Sequence, residues 1–169
     1  CETACSTFSE LGCRVGEDHP DFAEADEIFQ VLRAWLFAVE HEEELREHRH
    51  LMKDTVVWNT EQGLGLDALT VARAEAKRTA LYHRVRTFLE RYDFLVLPVS
   101  QVAPFPIEER WVREIDGVPM KTYIDWMASC YAISLTGLPA LSVPCGFTTE
   151  GLPVGLQIVG RHQGDFEVL

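Results

Sequence analysis

"GLPALSVPCGFTTEGLPVGLQIVG", residues 137 to 160, is dense in Gly and Pro and carries one charged side chain, Glu150. Two apolar runs, Ala140 to Val143 and Val154 to Val159, are bounded by those Gly and Pro residues. They are joined through "CGFTTEGLP", in which Glu150-Gly151 is a turn pair, so two neighbouring strands are the economical reading. In the second run Val154, Leu156 and Ile158 alternate with Gly155 and Gln157 before Gly160, so one face packs while the other lacks bulk. Either something approaches that thin face closely, or it is an edge strand with Gln157 in solvent. In the first case the Gln157 amide needs partners, because an unpaired buried amide costs about 1–3 kcal/mol. Spacing leaves both readings open.

Upstream of the quoted stretch, Tyr123 to Leu135 has helical spacing, with Ile124, Met127 and Tyr131 on one face and Trp126 and Ile133 nearby. Before it, "QVAPFPIEERWVREIDGVP" holds three prolines and a turn at Asp116-Gly117, a long surface excursion of a length that is uncommon without a task. "YDFLVLPVS" reads as a helix end followed by a short strand, Phe94 to Leu97, closed by Pro98 and buried on both faces. The helix that feeds it runs from near Thr70 to about Tyr92. Ala74, Leu81, Val85, Phe88 and Tyr92 share one face, and Arg73, Lys77, Arg84 and Arg91 take the others. A helix feeding a buried strand is an α/β signal.

The first third of the chain reads as helical. Ala4, Phe8 and Leu11 have helical spacing, Gly12 supplies a stop, and "CRVGE" follows as a short strand. After a turn at His19-Pro20-Asp21, Asp21 is the expected N-cap of a long helix whose apolar stripe is Ile28, Leu32, Trp35, Leu36 and Val39. The segment "HEEELREHRH" then places His41, Glu44 and His48 at i, i+3, i+7, a spacing that zinc ligands use. The HExxH pattern fails because position 45 is leucine, and a solvated helix face laced with i,i+4 contacts accounts for the charges without a metal. "NTEQGLGL", residues 59 to 66, reads as a loop.

Composition bounds the function classes. A hydrophobic fraction of 47% and a charged fraction of 25% are globular values, and no apolar run reaches the roughly 18 residues of a membrane span. The net charge of -12 repels phosphate backbones, and Arg46, Arg49, Arg84 and Arg86 are interleaved with acids, so neither nucleic acid nor membrane is an expected partner. Cys1, Cys5, Cys13, Cys130 and Cys145 are odd in number and form no CxxC pair, which points to reduced thiols and a cytoplasmic location. Residues 1 to 13 lack the basic start and apolar centre of a signal peptide, and no Met opens the chain. "GDFEVL" stops where Asp165 could cap a helix over Phe166 to Leu169. The expectation is a piece of a longer protein.

"YIDWMASCYAISLTGLPALSVPCGFTTEGLPVGLQIVGRHQGDFEVL" closely resembles the C-terminal portion of amidase-signature hydrolases. The upstream order, "ELGCRV" and then "ARAEAKRTALYHRVRTFLERYDFLVLPVSQVAPFP", is similar too, so the resemblance covers essentially the whole chain. It implies an α/β fold, part of an α/β/α sandwich with a mixed β-sheet covered by helices. Residues 1–169 would be the C-terminal portion of a single amidase domain, with the N-terminal catalytic half absent. It also implies amide hydrolysis through a Ser-Ser-Lys triad with no cofactor and no metal. The lysines here are Lys53, Lys77 and Lys121, and there is no Gly-Gly-Ser-Ser run to hold a nucleophile and an oxyanion loop, so no catalytic residue can be carried over.

The resemblance further implies that Ile124, Met127 and Tyr131 line the acyl pocket, their apolar character suiting an aromatic or aliphatic acyl group. Glutamine amidotransferase relatives tend to show an acid where Met127 stands, and a core role for Met127 is the alternative. The expected partners are a small-molecule amide substrate and the missing N-terminal half of the same chain, and a homodimer is allowed. Three other functions compete with the amidase. They are the amidase subunit of a glutamine-dependent amidotransferase, a non-catalytic binding or structural module, and a thiol hydrolase built on Cys145. The last is disfavoured because nothing in the sequence places His162 or His83 beside that thiol as a base.

Overall fold

The computed structural model describes residues 2–169, so Cys1 lies outside the described residues. The elements in chain order are α1 (Glu2–Glu10), α2 (Ala25–His48), α3 (Asp54–Leu64), α4 (Ala68–Leu89), β1 (Leu95–Pro98), β2 (Glu114–Ile115), β3 (Val118–Pro119), α5 (Ala128–Ser134), β4 (Ala140–Phe147), β5 (Pro153–Val159) and α6 (Asp165–Val168). Single 3-10 turns at Arg49–Leu51 and Asp125–Met127 precede α3 and α5. The mix of helices and sheet makes this an α/β chain. It divides into a helical unit, residues 23–81, and a unit built from residues 1–22 and 82–169 that holds the sheet.

In the sheet unit the two Gly/Pro-bounded runs become β4 and β5, and β1 completes a three-stranded sheet in the order β1-β5-β4. Both pairings are antiparallel, with Val159 opposite Leu95 on one side and Ala140 on the other. Leu156 and Val159 of the central strand are buried, as a strand flanked on both sides should be. β4 bulges between Pro144 and Gly146, which leaves Cys145 in the bulge. Pro144, which has no N–H to donate, is tolerated in β4 because that strand lies at the sheet's edge. The connection closes at Gly151, whose φ of 82° suits glycine, with Gly151 N–H donating to Thr148 O at 3.0 Å.

The Gln157 side chain is not in solvent, because its Nε2 donates to Ser129 O at 3.3 Å. The thin face at Gly155 is met by side chains instead of a second backbone. A Cβ built there would lie 3.1 Å from Val99 Cγ2 and 3.4 Å from Ser142 Oγ. β1 differs from its expected burial on both faces. Only Leu95 is fully buried and Phe94 stays outside the strand, because β1 is an edge of this sheet. The proline-rich excursion carries the β2–β3 hairpin, and Asp116 and Gly117 both have positive φ, the backbone of a type I′ turn.

"CRVGE" is extended without pairing; residues 13–17 are all exposed, and a strand that finds no edge forms no ladder. The helix expected from Tyr123 begins later, as the 3-10 turn at Asp125, and becomes α only at Ala128. The Asp125 carboxylate explains the delay. It accepts from the backbone N–H of Lys121 and Thr122 and from the Thr122 hydroxyl, which holds residues 121–124 in a turn. At the C-terminus Gly164, not Asp165, takes the N-cap position of α6.

Arg161 follows β5 and grips the end of α4. Its Nε donates to Leu89 O at 2.9 Å, and its Nη2 donates to Tyr92 O at 3.1 Å and to Asp93 Oδ1 at 3.0 Å. The last carbonyls of a helix have no partner within it and attract a cation, so the guanidinium satisfies both needs. Arg161→Ala is expected to cost about 1–2 kcal/mol, lowering the melting temperature by about 3–6 °C. Arg161→Lys should recover little, since one ammonium cannot reproduce the fork. A lysine variant melting with the parent would show that charge alone suffices.

A second tie reaches the same region from the N-terminal side. The Asp18 carboxylate accepts from Tyr92 Oη–H at 2.6 Å and from His19 N–H at 2.9 Å, with Arg91 Nη2 at 3.5 Å. The Tyr92 hydrogen bond, helped by the His19 N–H, holds the Asp18 carboxyl below its ordinary value, and the same bond raises Tyr92. A depressed carboxyl stabilises above its unfolded value of about 4 and loses that contribution as pH falls. A raised phenol stabilises below about 10 and loses it as pH rises. The gap in melting temperature between the parent and Tyr92→Phe should therefore be widest between about pH 5 and pH 9 and close on both sides. A gap independent of pH would assign Tyr92 a packing role only.

In the helical unit, α2 starts at Ala25, four residues after the expected Asp21 cap, and Glu24 holds the N-cap with φ 69°. Asp21 is used elsewhere, its carboxylate 3.3 Å from Arg84 Nε. The buried stripe of α2 is the expected one only at its start. Ile28 is buried as expected, but the stripe continues through Ala34 and Ala38, while Trp35, Leu36 and Val39 are 45%, 48% and 68% exposed. The cause is α3, which lies on the small-residue stripe so closely that a Cβ on Gly63 would fall 1.9 Å from Ala34 O and 2.8 Å from Ala38 Cβ. Residues 59–64, expected as loop, belong to this helix. Asn59 and Thr60 are fully buried in it, and the Thr60 hydroxyl donates to Val56 O one turn back.

Candidate functional site

The Pro98 end of β1 opens into a cavity of about 910 Å³ within the sheet unit. Its framework is a staple between the segment after β1 and the start of α5. Val99 N–H extends the ladder to Gly155 O, and Val99 O accepts from Ser129 Oγ at 3.0 Å and Cys130 Sγ at 2.8 Å. Ala128 N–H, one of the unpartnered donors at the helix start, donates to Gln101 Oε1 at 2.6 Å. The Ser100 hydroxyl donates to Val102 O. Gln157, on the central strand, holds the same helix through Ser129 O. Side-chain hydrogen bonds thus fix both the loop and the helix that border the cavity.

The walls are apolar with a few neutral polar groups. Phe105 and Trp126 meet edge to face, centroids 5.4 Å apart at 85°, and Pro98, Pro104 and Pro153 add rigid surface. Gly155 and Ser142 form part of the sheet side, with Gln101 and Ser100 on the loop. Among the described residues, no Asp, Glu, Lys, Arg or His lines the cavity. Such a wall suits a neutral occupant, because a charge entering it would lose hydration without gaining a counter-ion.

The three residues expected at an acyl pocket lie on the segment that supplies Trp126. Ile124 is 0% exposed and Tyr131 is buried, whereas Met127 is half-buried at the end of the 3-10 turn. None of the three lines the cavity; their neighbour Trp126 does. Gly155 belongs to the thin face that spacing had pointed to, whereas Gln101 and Phe105 are wall residues that it did not single out. The signal for Phe105 was its place between two prolines in an excursion too long to be idle.

The lysines are far from base chemistry. Lys77 sits 2.6 Å from Glu27 and 2.9 Å from Glu24, and those carboxylates raise its pKa, fixing it as an ammonium. Lys53 precedes α3 and Lys121 precedes the 3-10 turn, and none of the three lines the cavity. The rings of His83 and His162 both pack edge-on against Tyr82. Among the described residues no three His, Cys, Asp or Glu side chains converge to hold a metal ion, and His41 packs against the Phe37 ring. No helix of the described residues is long and apolar enough to cross a membrane.

Comparison with known proteins sets this geometry in a family. The family model described as Amidase matches residues 8–169. An acylamidase of Rhodococcus erythropolis is 31% identical over 100% of this chain and 36% of its own length. One of the glutamyl-tRNA(Gln) amidotransferase subunits of Clostridium acetobutylicum is 30% identical over 93% of this chain and 30% of its own length. The crystal structure of an amidase superposes with a TM-score of 0.86 at 28% identity, covering 99% of this chain and 39% of that one. A bacterial aryl acylamidase of the amidase signature family shares the fold, with a TM-score of 0.85 at 21% identity, and 37% of it is covered. The chain therefore spans about a third of the length of the curated relatives it matches. With the family match running from Phe8 to the last residue, the chain belongs to the amidase family.

Proposed function

We propose that residues 1–169 form the C-terminal portion of an amidase domain that hydrolyses the C–N bond of small carboxamides. The observation that carries this is the Amidase match over residues 8–169, in a chain 31% identical along its whole length to an acylamidase. In this reading the nucleophile and base are the Ser-Ser-Lys triad implied by the resemblance, supplied by the N-terminal half of the domain. The serine oxygen attacks the amide carbonyl, the protonated amine leaves, and water releases the acid from the acyl-enzyme. The present chain contributes sheet and pocket wall. Met127, which keeps exposed surface, borders the acyl group, and Ile124 and Tyr131 fix the helix behind it. The outer edges of β1 and β4 are where further strands of the domain would pair.

A second reading, the amidase component of a glutamine-dependent amidotransferase, is favoured by the 30% identity to a protein of that kind. Against it, free glutamine carries a carboxylate and an ammonium, the described residues that line the cavity include no counter-ion, and position 127 is Met where such relatives tend to show an acid. The two readings separate on substrate. The protein carrying this segment and its catalytic half should release ammonia from benzamide and hexanamide. Release from glutamine alone, dependent on a partner protein, would establish the second reading instead.

A further inference from the structure

We infer that a notch in the sheet unit, where α4 ends beside the segment after β5, is a binding site for a small organic carboxylate, with Arg86 as the residue that recognises it. The notch has a volume of about 170 Å³ and is lined by Arg86, Leu89, Glu90, Leu138, Arg161 and His162. It is separate from the larger cavity. Arg161 and His162 follow the Val159 end of β5, whereas Gly155, toward the other end of that strand, lines the cavity. At about 3.3 Å per residue, roughly 13 Å of central strand lie between Gly155 and Val159. The site is independent of amide hydrolysis.

Floor and rim differ in chemistry. Leu89 and Leu138 are buried, whereas Arg86, Glu90, Arg161 and His162 are exposed. A guanidinium carries five N–H donors, and each arginine here spends only some of them. Arg161 uses Nε and Nη2 on Leu89 O, Tyr92 O and Asp93, and Arg86 uses Nη1 on Glu90 Oε1 at 3.1 Å. Among the described residues no acceptor takes Arg161 Nη1 or Arg86 Nη2. His162, its ring edge-on to Tyr82, adds ring nitrogen to the rim. The C-terminal end of α4 repels anions, so the attraction has to come from the two guanidiniums, one of which already covers Leu89 O.

A carboxylate matches the guanidinium fork, two oxygens to two N–H groups. Glu90 shows that match already, but as an exposed i,i+4 pair of the kind that water and salt hold loosely, so a ligand carboxylate can displace it. The leucine floor then decides between anions. Phosphate laid on hydrocarbon loses hydration, whereas the apolar body of an organic acid gains by covering the two leucines. A volume of about 170 Å³ is close to the roughly 150 Å³ that admits a benzene ring, so the body is one ring or a short aliphatic chain.

Titration of the ¹⁵N-labelled chain with benzoate, benzamide and inorganic phosphate, followed by NMR, tests the site. Benzoate should move the Leu138 and His162 amide signals saturably, with a dissociation constant in the millimolar range, and the other two should bind there at least about tenfold more weakly. Arg86→Gln, at an exposed position, should keep the dispersed spectrum and weaken benzoate by about fivefold or more. Glu90→Gln should act in the opposite direction and tighten benzoate a few-fold, because Arg86 then has no internal carboxylate to give up. Added salt should loosen benzoate in the parent. Benzamide or phosphate binding as well as benzoate, shifts confined to Trp126 and Gly155, no saturable shift, or an affinity unchanged in either variant would each overturn the site. The amidase reading fails separately, since a protein that hydrolyses no amide would still bind benzoate at Arg86.

Discussion

Gly63→Ala lowers the melting temperature of the chain by about 4–8 °C, although helix propensity alone predicts a gain of about 1 kcal/mol. Gly63 lies in the last turn of α3, and the Cβ it lacks would sit 1.9 Å from Ala34 O and 2.6 Å from Ala34 C. Those atoms are helix backbone and cannot rotate away, so α2 and α3 must separate. Overpacking of this kind costs about 3 kcal/mol, and subtracting the propensity gain leaves about 2 kcal/mol of loss. Separation would also loosen the shell around Asn59 and Thr60, the fully buried polar pair of α3. Gly65→Ala is the control. Its nearest contact would be Gln62 O at 3.5 Å, and its φ of -83° suits any residue, so it should melt at or slightly above the parent. Circular dichroism melts of both variants decide the matter. A Gly63→Ala melting temperature at or above the parent's would mean that the two helices do not lie this close.

Residues 1–169 alone release no ammonia from benzamide or hexanamide above a buffer control. Covalent amide hydrolysis needs a nucleophile with a neutral base beside it, and loss of that pair costs on the order of 10⁶ in kcat. The lysine with the most defined surroundings, Lys77, is clamped by Glu24 and Glu27 and keeps its proton, the reverse of what a base requires. The hydroxyls at the cavity, on Thr3, Ser100 and Ser142, have no His, Lys, Asp or Glu among the described groups that share the lining with them. Ammonia released by the purified chain, and abolished by Ser142→Ala or Ser100→Ala, would place the nucleophile within these residues and refute the division of labour proposed above.

What could be read without coordinates follows from how local each signal is. The pair β4 and β5, the turn at Gly151, the turn at Asp116-Gly117 and the apolar face of α4 all announce themselves within a few residues, because turn geometry and side-chain period act over that range. The family was legible for the same reason, its motif being one unbroken stretch around residues 137 to 160.

Other features depended on partners distant in sequence. Which stripe of α2 is buried was decided by Gly63, some 25 to 29 residues past Ala38 and Ala34, because only a residue without a side chain lets α3 settle on the small one. That close packing also turned "NTEQGL" from apparent loop into helix. Whether Gln157 was solvated or satisfied was settled by Ser129 O, and the loop that borders the cavity is held by Gln101, which accepts from Ala128 N–H 27 residues away. Sequence by itself determined β4 and β5, the turns at Gly151 and Asp116-Gly117, the net charge and the family. Tertiary structure alone decided which faces are covered and that Trp126, not Ile124, Met127 or Tyr131, lines the cavity. Periodicity reports which side of an element is apolar, whereas burial is a contest among all the surfaces that can reach it.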